Sequence, residues 1–329
     1  MGQNSKIEWC DHTFNPWWGC AKVSPGCAHC YAETFANRLG HHVWGNTATP
    51  RRMFGDAHWR EPLKWNAEAQ RAGQRRRVFC LSMGDVFEDR RDLDRPRDRL
   101  YGLVEATPWL DWLLLTKRIE NADRLLPRRW SYAGYDIPPT RPPFPRNVWI
   151  GISAENQVEF DGRWPVLEWV GRMWCVPVLF ISAEPLLGPI DMRVYLTEPI
   201  ENDDDGTLEI RGIDWVITGG ESGPKARPMH PDWARSIRDQ CIEAEVPFLF
   251  KQWGEWMPCG PVEDDQGLAG GRAFDNARGD RTAFYGPMTS GRSRGYRVLS
   301  GEQVMVRAGK HNAGRLLDGR EWNEFPEER

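Results

Sequence analysis

Six short apolar runs recur along this 329-residue chain, with starts about 30 to 35 residues apart, and that rhythm restricts the fold more than any other feature. They are Val78–Met83, Trp112–Thr116, Val148–Ile152, Val178–Ile181, Ile213–Thr218 and Val246–Phe250. Each holds four to six residues, rich in β-branched and aromatic types. A strand with one wet face would alternate; an unbroken apolar run of this length is the pattern of a strand buried on both faces of a parallel sheet. Ile7–Trp9 reads as an additional first strand. Helical spacing appears between runs at Asp94–Ala106, Asn156–Trp169 and Pro231–Ala244. In the last, Trp233, Ile237, Cys241 and Ala244 share a face, with proline in the first turn. Strand alternating with helix means βα units, and a helical solenoid of similar period has no such internal strand. About seven units predict a complete or partial (β/α) barrel rather than a doubly wound sheet.

In βα barrels the chemistry sits where the strands end. There the chain carries Asp85 and Glu88, Lys117 and Arg118, Ser153, Glu155 and Asn156, then Ser182 and Glu184. Gly219, Gly220 and Glu221 follow, and finally Lys251 and Gln252. Any one of these would pass as a solvated loop residue; together they read as an active-site rim. The barrel core is assigned to residues 1–254, and residues 255–329 to a glycine- and arginine-rich extension. Its first part, Glu255–Gly301, reads as a lid or loop, followed by a short hairpin (Arg297–Leu299 with Gln303–Val306) and a tail. Thr197–Gly212 reads as an acidic surface insertion.

The chain has eight cysteines and no apolar export segment at Met1–Glu8, so the thiols are expected to be reduced and the protein cytoplasmic. No apolar stretch is long enough for a membrane span, which predicts no membrane partner. Cys80 and Cys175 read as small buried hydrophobes, while Cys10, Cys241 and Cys259 are scattered. Cys20, Cys27 and Cys30 instead form a C-x6-C-x2-C loop with a Pro25-Gly26 turn. Thiolates at such spacing select zinc or an iron–sulfur cluster. Zinc would need a fourth ligand from Cys10, His12 or His29; three thiolates suit a cluster with one open iron.

A net charge of −4 gives no global attraction for nucleic acid. Arginine is nevertheless dense at Arg71, Arg75, Arg76, Arg77, Arg90, Arg91, Arg95 and Arg97. Eighteen tryptophans allow either core filling or an aromatic cleft that stacks rings.

Asn15-Pro-Trp-Trp-Gly-Cys20, Ser24-Pro-Gly-Cys27-Ala-His-Cys30-Tyr-Ala-Glu33 and Leu114-Leu-Thr-Lys-Arg118 resemble motifs of the phage- and bacteria-associated three-Cys-motif family, which carries a domain of unknown function and is described as radical-SAM-like. Ile181-Ser-Ala-Glu-Pro-Leu186, Thr218-Gly-Gly-Glu-Ser-Gly223, Phe250-Lys-Gln-Trp-Gly254 and Ala313-Gly-Arg-Leu-Leu-Asp-Gly-Arg320 extend the resemblance over nearly the whole chain. It implies a radical-SAM-like barrel with a 4Fe–4S cluster on Cys20, Cys27 and Cys30. S-adenosylmethionine on the open iron would be cleaved to a 5′-deoxyadenosyl radical, with electrons from a flavodoxin- or ferredoxin-type donor. By motif position, Ser82, Gly84 and Asp85 would contact the methionine amino group. Ser153, Glu155, Ser182, Glu184, Gly219 and Gly220 would approach ribose, adenine or substrate. Lys117, Arg118 and Lys251 would hold a carboxylate or phosphate, with Glu221 also on the catalytic rim. His29 stands where an aromatic usually packs near adenine. The implied substrate is a nucleic acid base or nucleotide, modified or repaired.

Two other classes fit the same residues. One is a zinc-stabilised nucleic-acid-binding protein without catalysis; the other is an iron–sulfur scaffold for a partner protein encoded nearby. Metal and sulfide analysis separates the first from the enzyme, and cofactor turnover separates the second.

Overall fold

The computed structural model describes residues 2–131, 144–196, 212–261, 296–298 and 303–327. Apart from Gly212, the acidic stretch Thr197–Gly212 lies outside them, as does most of Glu255–Gly301.

The chain opens with β1 (His12–Thr13) and β2 (Trp17–Trp18), then α1 (Tyr31–Arg38), β3 (Arg52–Met53), α2 (Asp56–Trp59) and α3 (Glu61–Ala72). Next come β4 (Arg76–Cys80), α4 (Asp94–Glu105), β5 (Leu110–Thr116), α5 (Ala122–Leu125), β6 (Val148–Ser153) and α6 (Gln157–Trp174). They are followed by β7 (Val178–Ala183), α7 (Arg193–Leu196), β8 (Trp215–Gly219), α8 (Pro231–Glu243) and β9 (Phe248–Gln252). The chain finishes with β10 (Trp256–Pro261), β11 (Tyr296–Val298), β12 (Gln303–Arg307) and α9 (Lys310–Ala313).

Seven strands form one sheet in the order β1-β4-β5-β6-β7-β8-β9. Every pairing in it is parallel. Neighbours in space are therefore neighbours in sequence, the arrangement of a partial (β/α) barrel and not of a doubly wound sheet, whose order reverses midway. The apolar runs predict these strands because both faces are covered. Phe79, Leu113, Trp149, Phe180, Trp215, Ile217 and Leu249 pack together on the inner face. The alternating residues Val78, Leu114, Ile150, Ile181, Val216 and Phe250 pack against the helices.

The first strand is not Ile7–Trp9 but His12–Thr13, paired with Val78 and Phe79. Ile7–Trp9 is a bend that carries Trp9 onto Phe79, ring centroids 4.4 Å apart, within the inner cluster. The run at Val78 ends as strand at Cys80; Leu81 stays buried in the floor of a cleft, and Met83 packs against Ala32, Ala36 and Val43. α6 runs longer than its sequence pattern, to Trp174, and starts where the Asn156 side chain accepts from the Glu159 amide at 3.1 Å. Cys175, expected to be buried, is exposed at that helix's left-handed C-cap (φ 53°).

Where the sequence predicts a hairpin, β11 and β12 pair antiparallel, with Leu299 outside the described residues, and β10, within the predicted loop Glu255–Gly301, pairs antiparallel with β12 as a third strand. The following tail packs on the barrel: Ala313, Leu317 and Trp322 belong to the main core cluster. Most tryptophans serve that core, with Trp17, Trp112, Trp130, Trp164 and Trp174 fully buried in it and Trp215 fully buried in the inner cluster. No helix among the described residues is long and apolar enough to cross a membrane.

Candidate active-site cleft

All seven sheet strands run the same way, so their carboxyl ends meet at one end of the barrel. The segment after β2 crosses that end and carries Cys20, Cys27 and Cys30. These cysteines line one cleft with His29, Ser82, Gly84, Asp85, Lys117, Arg118, Ser153, Ser182, Glu184, Gly220, Glu221 and Lys251. Of the strand-end residues singled out from sequence, Glu88, Glu155, Asn156 and Gly219 are not on its surface. Gly219 lies directly behind: a Cβ there would collide with the Glu184 carboxylate. At Gly220 a Cβ would run into the Trp253 carbonyl, so the wall closes only with glycine.

Two carboxylates predicted to meet the cofactor are committed elsewhere. Asp85 is buried and accepts from Thr116 Oγ1 (2.7 Å), the Lys117 amide (3.1 Å), the Phe87 amide (3.0 Å) and Arg118 Nη1 (3.0 Å). Those bonds use the capacity of a carboxylate, so it holds Arg118 rather than a methionine amino group. Glu155 is fully buried under the cysteine loop and pairs with Lys117 and with Arg163 (2.9 Å), and it accepts from Ser24 Oγ at 2.5 Å. Burial alone would raise its pKa; the two cations and Ser24 outweigh that and hold it down at about 2.

Lys117 is thus neutralised by Glu155, and Lys251 by Glu184 at 3.0 Å. Burial opposes the charge on Lys251, yet Glu184 keeps its pKa above the ordinary value. Glu221 binds Arg227 at 2.6 Å and faces His29 Nδ1 at 3.3 Å. The arginine-dense stretch is largely neutralised as well: Arg75 pairs with Asp111, Arg76 and Arg77 with Asp11, Arg90 with Asp92 and Arg97 with Asp94.

The sequence pattern missed several contributors. Ser24, Arg163 and Arg227 complete the ion-pair chemistry. Tyr31, directly after the third cysteine, donates to the Ser82 carbonyl at 2.9 Å. Asn15 accepts from the Met83 amide at 2.8 Å and fixes the cleft floor. Position inside or beside the cysteine motif is the signal that could have found Ser24, Tyr31 and Asn15; Arg163 and Arg227 carry none.

Arg118 Nη1 lies 3.3 Å from Cys20 Sγ and places a cation beside a prospective thiolate. Burial pushes the Cys20 thiol up to about 12, against the opposing pull of Arg118, and raises Cys30 as well. A metal must therefore displace the protons. Among the described residues no three His, Cys, Asp or Glu side chains converge on a single ion. Cys10 and His12, the extra zinc ligands considered above, line a separate cleft. His29 lies on the same cleft as the three cysteines; three thiols around one cleft are the donor set that a cluster with one open iron requires. Trp9 Nε1 and Gln252 Oε1 belong to buried residues of the cleft wall and find no partner among the described residues. They offer one donor and one acceptor to a polar ligand.

No curated protein matches the chain. Among solved structures it is similar to a spore photoproduct lyase mutant with bound AdoMet and dinucleoside spore photoproduct, at 12% identity and a TM-score of 0.41, over 93% of this chain and 73% of that one. A second mutant of spore photoproduct lyase gives 14% identity and a TM-score of 0.41, over 87% and 72%. One family model spans residues 4–326, and the chain belongs to that family, described as "Protein of unknown function (DUF5131)".

Proposed function

We propose that this chain is a radical-SAM-like enzyme acting on a nucleic acid base or nucleotide, in modification or repair. The observation that carries the reading is the convergence of Cys20, Cys27 and Cys30 with the polar carboxyl ends of the strands on one cleft. The three cysteines would hold a 4Fe–4S cluster. When bound, such a cluster would supply one-electron chemistry for reductive cleavage of S-adenosylmethionine, fed by a flavodoxin- or ferredoxin-type donor.

The chain's own residues do the rest. Trp9, Phe79, Leu81 and Leu115 make the apolar floor that excludes water from a reactive species. Arg118, held by Asp85, balances negative charge at Cys20. Ser153 and Ser182, with the Trp9 and Gln252 polar atoms, are the groups that would orient the nucleoside and substrate. Lys251 sits in an ion pair with Glu184, which can open to meet an anionic group without leaving a bare charge in the empty cleft.

Protein purified without oxygen and reconstituted should be brown, carry about four irons and four sulfides, and release 5′-deoxyadenosine when reduced with S-adenosylmethionine. One zinc with no sulfide, or a cluster that never cleaves the cofactor, would remove the enzyme reading. For the substrate class, mass analysis of oligonucleotides and nucleotides after turnover should reveal an altered base. A turnover rate and product indifferent to both would remove that assignment.

A further inference from the structure

Between Cys20 and Cys30, four points of the loop are tied to the barrel rim by groups from different strand ends. Arg118, after β5, donates to the Ala21 carbonyl at 2.6 Å. Glu155, after β6, accepts from Ser24 Oγ at 2.5 Å, and the same hydroxyl lies 3.6 Å from Cys27 Sγ. Arg227, held by Glu221 after β8, donates to the Pro25 carbonyl at 3.0 Å, and Glu221 itself meets His29. Gly26 rests so closely on Glu155 that a Cβ would collide with the carboxylate. Each tether is anchored in turn: Asp85 on Arg118, Lys117 and Arg163 on Glu155.

A metal-organised loop behaves otherwise. Where ligands alone define a site, the chain is unfolded until the ion arrives. Here charged groups of the rim supply the contacts that an ion would otherwise have to supply.

We propose that these rim charges hold the three-cysteine loop in its ligand-presenting shape before any metal is bound, so that Glu155, Glu221, Arg227 and Arg118 are positioning residues. The proposal rests on reading the loop as the cluster's ligand loop. It reassigns Glu155 and Glu221 from contacting cofactor or substrate to holding the ligands in place. Three cysteines arriving pre-arranged lose less chain entropy on capture.

The test uses full-length metal-free protein and amide hydrogen exchange over residues 20–30. Wild-type amides of Cys27 and Ala28, bonded to the Ser24 and Pro25 carbonyls, should be protected. Ser24→Ala and Arg227→Ala leave the buried Glu155 pairs intact. Each should speed exchange in the loop on the order of 10-fold or more, the worth of a hydrogen bond to a charged group, and slow iron uptake on reconstitution. Ser24→Thr should restore both. Loop amides that exchange at unstructured rates in the wild type, or that ignore both substitutions, would overturn the proposal. A protected loop that takes up no iron or sulfide would uphold the tethers and reject the cluster. A cluster that loads onto a freely exchanging loop would do the reverse.

Discussion

Replacing Glu155 with glutamine removes one charge from the most buried ion-pair group of the rim while keeping its shape. The folded protein holds this carboxyl at about 2 against an ordinary 4.5, because Lys117 and Arg163 outweigh the burial that opposes its charge. At about 1.4 kcal/mol per tenfold, that interval corresponds to about 3 kcal/mol of stability at pH 7. Breaking a buried pair by deleting one partner gives the same order, about 3–5 kcal/mol. The sign follows from the depressed value: the stabilisation is complete above pH 4.5 and is lost as pH falls toward 2. Urea unfolding of wild type and Glu155→Gln should therefore show a gap of about 3 kcal/mol at pH 7, narrowing to about 1.5 kcal/mol near pH 3. A gap under about 1 kcal/mol at pH 7, or one that does not change with pH, would refute the assignment of Glu155 as a charge locked between two cations.

Alanine at Cys20, Cys27 or Cys30 should each abolish the iron–sulfur absorption of reconstituted protein, whereas Cys10→Ala and Cys259→Ala should keep it; retention in any of the first three would show the ligand assignment to be wrong. At Gly151 a Cβ would lie 2.5 Å from the Phe180 ring inside the barrel. Gly151→Ala should therefore cost about 1–3 kcal/mol in denaturant unfolding, and a neutral result would mean the inner layer repacks freely. Trp322→Ala should cost about 3–5 kcal/mol in a single transition, since Trp322 packs on Phe248 and joins the main core. A separate, earlier transition for the tail would instead favour a boundary near residue 254.

Much of the scaffold was legible because burial on both faces leaves a local mark. Val148–Ile152 and Val178–Ile181 could hardly be anything but inner strands, and both are. The first strand was misplaced because Trp9 is apolar for a different reason, filling the barrel interior from a bend, while the real strand, His12–Thr13, spans only two residues. Arginine density in the sequence does not show which cations are paired, because composition counts cations and not their partners; Asp11 and Asp111 lie 36 to 66 residues from the arginines they bind.

The amino-acid order on its own determined the parallel βα scaffold, the three-cysteine loop and the set of polar residues at the strand ends, since periodicity and spacing are properties of short segments. Only the tertiary structure decided which of those polar residues face the cleft and which face each other. Glu155 looks like Ser153 in sequence, yet its carboxylate lies off the cleft surface, spent on Lys117 and Arg163. That choice is made by partners brought from far away, as when Ser24 meets Glu155 across 131 residues, and by the cost of burying a charge without its counter-ion.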